Sequence, residues 1–166
     1  EVSDIKKVVP PVLIRDRNTA IYYIDFSFDN FQLGGSAFAQ SLGKIGKTAP
    51  TVKDSEYFVS AFNTIQELIE KDLILAGHDI SAGGMITALL EMNFGNPEGG
   101  LEINLDKIAE KDIIKILFSE NPGVLIQVKD KNSVEKILQN NGIGFSKIGR
   151  PCKERHILVK KDNAEY

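Results

Sequence analysis

The chain has 166 residues, 42% hydrophobic and 26% charged, a balance that supports a packed core and argues against disorder. Its net charge of -3, with twenty Lys and Arg scattered among acids, speaks against wholesale nucleic-acid binding. No apolar run approaches the roughly 20 residues of a membrane span, and a single cysteine, Cys152, excludes an internal disulfide framework.

One cysteine suits a reducing compartment, so a cytoplasmic location is expected. Two histidines and one cysteine cannot build a Cys/His zinc site, which leaves oxygen ligands for any metal. Cys152 has no neighbouring His or second Cys to activate it and is read as inert. The chain opens on Glu1 rather than Met, which suggests processing or excision from something longer, and both ends are expected to fray.

In chain order, residues 12–15 and 20–26 are β-branched or aromatic and flank the turn chemistry of Asp16, Arg17 and Asn18, predicting two strands. The run "GGSAFAQSLGKIG" predicts a short helix from Ser36, with Phe38 and Leu42 on one side. In "DSEYFVSAFNTIQELIEKD", Phe58, Phe62, Ile65 and Ile69 recur at three- and four-residue steps, and Asp54 or Ser55 can cap the free amides. A short apolar strand over residues 73–76 then enters "GHDISAGGMITALLEMNFG", where Met85, Ile86, Leu89, Leu90 and Phe94 mark one face of a helix.

Beyond it, residues 101–105 predict a strand, and Ile113, Ile114, Leu117 and Phe118 a helix. Residues 123–129, "GVLIQVK", have the continuous apolar character of a strand buried on both faces. Asn132-Ser133 with Glu135 resembles a capping box, and Asn141-Gly142 a helix stop. Residues 143–148 and 156–160 are the last expected strands. Helices and strands alternate without repeats or linkers, so the expectation is one layered α/β domain over residues 1–166.

The stretch His78 to Gly84 carries more polar and glycine character than packing asks for. A strand feeding a helix through a glycine-rich turn leaves the first helical amides free, and the helix dipole favours an anion there. Asp79 at the strand end suits a Mg²⁺ ligand, Ser81 a phosphate donor, and Gly83 and Gly84 let an anion approach the amides. The structural alternative stands beside it: Asp79 or Ser81 caps the helix, and the glycines serve tight packing. His78 is read as a structural histidine without a catalytic partner. "LGGS", residues 33–36, is a second glycine-rich helix start, read on its own as a tight entry.

Four blocks then resemble one family in order and spacing. "HDISAGGMITALLEMNFG" is similar to the "HD-x-SDGG-L" segment of phosphoribosylformylglycinamidine synthases. "LGGSAFAQSLGKIGKTAPTV" resembles their "LGGS-x-LAQ" helix and loop, "LFSENPGVLIQV" their "LF-x-E-x-x-G-x-x-IQV" strand, and "IGRPCKERHILV" their closing glycine-containing hairpin. The similarity runs from about Val8 to Val159.

The resemblance implies the fold of the C-terminal domain of the aminoimidazole ribonucleotide synthetase superfamily. It places the chain as the C-terminal half of the second synthetase-like repeat of the long, single-chain enzyme. That enzyme makes formylglycinamidine ribonucleotide from formylglycinamide ribonucleotide, ATP and glutamine. By the same resemblance Asp79 ligates Mg²⁺ at a bound ATP or ADP and Ser81 contacts that nucleotide, at an auxiliary rather than a catalytic site. No catalytic residue is expected here, and the implied partners are the remaining domains of the parent enzyme, not nucleic acid or membrane. One departure is Ala82, which stands where the family commonly has an acid. Two rivals remain: another enzyme of the superfamily, such as a selenophosphate synthetase or a hydrogenase-maturation protein, and a purely structural domain.

Overall fold

β-branched and aromatic side chains run unbroken from Ile21 to Ile24, and they form an interior strand of the sheet, β1 (Ala20–Asp25). The computed structural model describes residues 4–166. After β1 come α1 (Ala37–Ser41), α2 (Ser55–Glu70), β2 (Ala76–Asp79), α3 (Gly84–Phe94) and β3 (Gly100–Asn104). α4 (Ile113–Phe118), β4 (Gly123–Val128), α5 (Lys131–Asn140), β5 (Phe145–Cys152), β6 (Ile157–Lys161) and β7 (Ala164–Glu165) complete the chain. The strands form one sheet in the order β2-β4-β1-β5-β3-β6-β7. All neighbours are antiparallel except β3 and β6.

Two apolar layers hold it. On one face Ile21, Tyr23, Leu101, Ile103, Leu125 and Val159 meet Met85, Leu89 and Met92 of α3 and Ile116 of α4. On the other, Tyr22, Ile24, Ile126 and Val128 meet Ala61, Ile65 and Leu68 of α2 and Val134 and Leu138 of α5. β1 and β4 are therefore buried on both faces, which is why "GVLIQV" has no polar alternation. Gln127 is the exception, and its fully buried amide is used: Oε1 accepts from the Ile14 N–H at 2.8 Å, and Nε2 donates to the Ile14 carbonyl at 2.7 Å and to Thr19 Oγ1 at 2.7 Å.

Those bonds explain one difference from the expected elements. Residues 12–15 are not a strand, because a side-chain amide, not a neighbouring backbone, takes up the polar groups of Ile14. The strand expected over residues 73–76 begins at Ala76 and includes His78 and Asp79. On α2, Phe62 is exposed and Ala61, Thr64 and Leu68 take the inner face; on α3, Leu90 and Phe94 point outward and Ala88 and Met92 inward. Equal spacing fits two adjacent stripes of a helix, and the layer selects the one with the smaller residues. The cap of α5 is Asp130, two residues earlier than the expected Asn132; its carboxylate accepts from the Ser133 N–H at 3.1 Å and Oγ–H at 2.6 Å.

The closing segment is not a hairpin. β3 lies between β5 and β6, pairing Gly100 to Ile103 with Gly149 to Cys152 on one side and Leu101 to Asn104 with Ile157 to Lys160 on the other. The C-terminal end, expected to fray, is paired to the sheet: Tyr166 N–H donates to the Val159 carbonyl at 2.8 Å. Fraying expected of residues 1–3 lies outside the described residues. Burial, more than its neighbours Glu102 and Glu154, pushes the Cys152 thiol up and keeps it protonated.

Candidate functional site

Asp79 ends β2, the edge strand of the sheet, and the Ile80 N–H makes one more bond, 2.8 Å to the Gly123 carbonyl, before the chain leaves. Ser81 and Ala82 are exposed, and the Ser81 carbonyl accepts from the Gly84 N–H at 3.0 Å. Gly83 and Gly84 have φ of +90° and +75°, a region that costs side chains with a Cβ. A Cβ on Gly83 would lie 2.2 Å from Thr87 Oγ1, and one on Gly84 would lie 2.6 Å from the Leu117 carbonyl oxygen. Both glycines are thus favoured by conformation, and Gly84 is also required by the close approach of α4.

The cap of α3 is Gly83, and no side chain bonds the first helical amides. Neither Asp79 nor Ser81 is a helix cap, so that part of the structural alternative fails while its packing part holds.

The Gly83 amide is nevertheless engaged. Glu120 Oε1 accepts from Gly83 N–H at 2.9 Å and from Ala37 N–H at 2.8 Å. The second donor lies at the start of α1, so one carboxylate oxygen joins both glycine-rich helix entries. Phe38 and Phe118 reinforce this junction, their rings 4.7 Å apart. The flanking Ser119 and Asn121 hold the loop after β1: Ser119 Oγ donates to the Gln32 carbonyl, and Asn121 Nδ2 donates to Ser27 Oγ and the Asn30 carbonyl. A carboxylate occupies the position where helix dipole and free amides favour an anion.

At "LGGS" the start of α1 is capped by its own serine. Ser36 Oγ accepts from the Ala39 N–H at 3.2 Å and donates to the Leu33 carbonyl at 2.7 Å. Gly34 is packed against the loop that follows, where a Cβ would stand 2.3 Å from the Thr48 carbonyl oxygen.

Asp79 is the group left without structural work. Its side chain is 76% exposed, and the imidazole Nδ1 of His78 lies 3.5 Å away. His78 in turn places Nε2 3.2 Å from Glu91 of α3. Among the described residues no three His, Cys, Asp or Glu side chains gather as a metal centre would require. What these residues offer a divalent cation is one exposed carboxylate, which does not by itself close a coordination shell. An apolar hollow of about 270 Å³ opens beside His78 and Asp79, between α2 and β2.

Sequence reasoning missed Glu120 and Glu91. The signal for Glu120 was present: a polar trio, Ser119, Glu120 and Asn121, interrupts apolar sequence between α4 and β4. Glu91 falls among exposed helical positions, and nothing in its spacing distinguishes it.

No helix among the described residues is long and apolar enough to cross a membrane. A probable phosphoribosylformylglycinamidine synthase of Caenorhabditis elegans is 35% identical over 162 residues, spanning 89% of this chain and 12% of that protein. A probable chloroplastic/mitochondrial phosphoribosylformylglycinamidine synthase of Arabidopsis thaliana is 37% identical over 167 residues, spanning 98% of the chain and again 12% of the relative. Among solved structures, T. maritima PurL complexed with ATP shares the fold at a TM-score of 0.72, with 15% identity, over 98% of this chain and 26% of that one. The family described as AIR synthase related protein, C-terminal domain, matches residues 29–161, four-fifths of the sequence, and the chain belongs to that family.

Proposed function

We propose that this chain is a domain of a phosphoribosylformylglycinamidine synthase, the glutamine-dependent, ATP-using ligase that makes formylglycinamidine ribonucleotide in purine biosynthesis. The observation that carries the reading is the 35 and 37% identity to proteins of that name over most of the chain. Within it, the domain is the C-terminal half of the second synthetase-like repeat, acting in the cytoplasm. It contributes one wall of an auxiliary Mg²⁺–ATP or Mg²⁺–ADP site and no catalytic residue.

Asp79 supplies one carboxylate to the metal, and the exposed hydroxyl of Ser81, two residues on, is the donor to phosphate. Mg²⁺, when bound, offsets phosphate charge that a lone carboxylate would repel. Gly83 and Gly84 keep the turn low, so that no side chain stands between the nucleotide and the end of β2. With the Gly83 amide already given to Glu120, its part at the site is this clearance rather than a bond to phosphate.

The test is Asp79→Ala in the full-length enzyme. A lost metal ligand reduces retained nucleotide, and with it the stability that binding adds to the folded state, while substrate KM changes little. Nucleotide content and melting temperature unchanged from wild type would refute the site. The 166-residue chain alone is expected to bind Mg²⁺–ADP only at about millimolar, near 4 kcal/mol, and to release no phosphate from ATP. One observation favours a second reading, a structural domain: Glu120 fills the anion position from within. Micromolar calorimetric binding, abolished by Asp79→Ala, would exclude both that reading and the half-site.

A further inference from the structure

The sheet is covered unevenly. α2 and α5 pack over β4 and β1, and among the described residues no helix continues that layer over β5, β3 and β6. The uncovered face is a cleft of about 640 Å³. Arg17, Lys107, Lys131, Lys147, Arg150 and Lys160 line it, against two carboxylates, Glu102 and Asp106, in a chain whose net charge is -3. The cations are far apart in sequence, so only the fold brings them together.

Arg150 and Lys160 are paired with Glu102 and Glu165, at 2.8 and 2.5 Å. Arg17, Lys107, Lys131 and Lys147 have no carboxylate within ion-pair distance among the described residues. Between them lies half-buried Leu158, an apolar contact point on the strand face.

We propose that this cleft docks an acidic amphipathic helix, lying across β5, β3 and β6 as α2 and α5 lie across β4 and β1. A sheet face closed by a helix is how layered domains bury their strands, and four unmatched cations specify the charge of that helix. Nucleic acid fits less well. Glu102 and Asp106 would repel phosphates, and no aromatic side chain lines the cleft to stack a base. A small polyphosphate fits less well too, since none of the four cations is buried and a compact anion needs convergent, desolvated donors. The relatives carry most of their length outside this domain, the chain spanning 12% of each, so such a helix has a source within the parent polypeptide. The inference stands independently of the nucleotide site.

The experiment titrates the isotopically labelled 166-residue chain with a helical peptide of about 16 residues, Leu at i and i+4 spacing and Glu on the flanks, and follows backbone amides by NMR. Amides of β3, β5 and β6 are expected to move, those of α2 and α5 to stay, and the Lys-for-Glu peptide to have no effect. Lys131→Glu with Lys147→Glu should weaken binding by roughly tenfold or more, and raised salt should weaken it in the wild type. No movement at millimolar peptide overturns the proposal. Equal affinity for pyrophosphate at the same amides would make this a small-anion site, and tighter binding of a thymidine dodecamer a nucleic-acid face. Either result overturns the helix.

Discussion

The two glycine-rich turns, residues 33–36 and 80–84, use their glycines to different ends. At the first, Ser36 caps α1 with its own hydroxyl, and Gly35, at φ +74°, has nothing within 4 Å of a would-be Cβ. At the second, no side chain caps α3, and Gly84 is pressed against the backbone of Leu117 and Phe118. The first turn supplies its own helix cap, whereas the second has none and is closed by α4; Glu120, which belongs to neither turn, bonds an amide of each. "Glycine-rich" therefore describes a clearance around the chain, and the use of that clearance is decided by what packs against it.

The sharpest break of this comparison is alanine at the paired glycines. Gly84→Ala combines positive φ with a backbone collision and should cost roughly 2–4 kcal/mol. Gly35→Ala meets only the conformational penalty, about 1–2 kcal/mol. Chemical denaturation of both variants compares them directly. Equal losses would mean that α4 yields at Gly84 and that the second turn is no tighter than the first.

Glu120→Ala comes next. It strips the shared acceptor from Gly83 and Ala37, and two amides left short of a partner should cost about 1–3 kcal/mol. Glu120→Gln keeps an oxygen at the same place and should recover most of that loss. A Glu120→Ala variant with wild-type stability would show that the two turns are independent. Ser36→Ala removes a cap from the first turn alone, with an expected loss of about 1 kcal/mol. Its effect should add to that of Glu120→Ala only if the α1 amides they serve are separate donors, Ala39 and Ala37.

Much of this was legible in the sequence, for physical reasons that differ by region. β4 announced itself because a strand buried on both faces needs no polar alternation, and α2 because Asp54 and its apolar spacing agree. The Asp79 turn stood out because His, Asp, Ser and two glycines at a strand-to-helix passage exceed what packing asks. Contacts between distant segments were not legible. Glu120 reaches Gly83 and Ala37 across the fold, Gln127 replaces a strand partner for Ile14, and β3 inserts between β5 and β6. Each depends on sheet order, and local spacing carries no trace of it. Scattered lysines likewise read as a solvated surface until the sheet gathered several of them on one face.

The smallest effect on stability, and the finest test of the second turn, is Ala82→Asp. Position 82 is exposed and lies between Ser81 and the αL glycine, so an acid there buries nothing and displaces nothing. Stability without ligand should stay within about 0.5 kcal/mol of wild type. If Asp79 faces a shared Mg²⁺–nucleotide site, a second carboxylate three residues along the same turn adds an oxygen donor for the metal or its waters, and retained nucleotide in the full-length enzyme should rise. The measurement is nucleotide content after purification, with and without added Mg²⁺, in Ala82→Asp and in Ala82→Asn. The amide variant keeps size and polarity but lacks charge, so it separates metal attraction from simple solvation. A rise in both variants alike would assign the gain to hydrogen bonding at the turn. A fall in Ala82→Asp alone would mean that the acid meets the phosphates rather than the metal, placing residue 82 on the phosphate side of the turn.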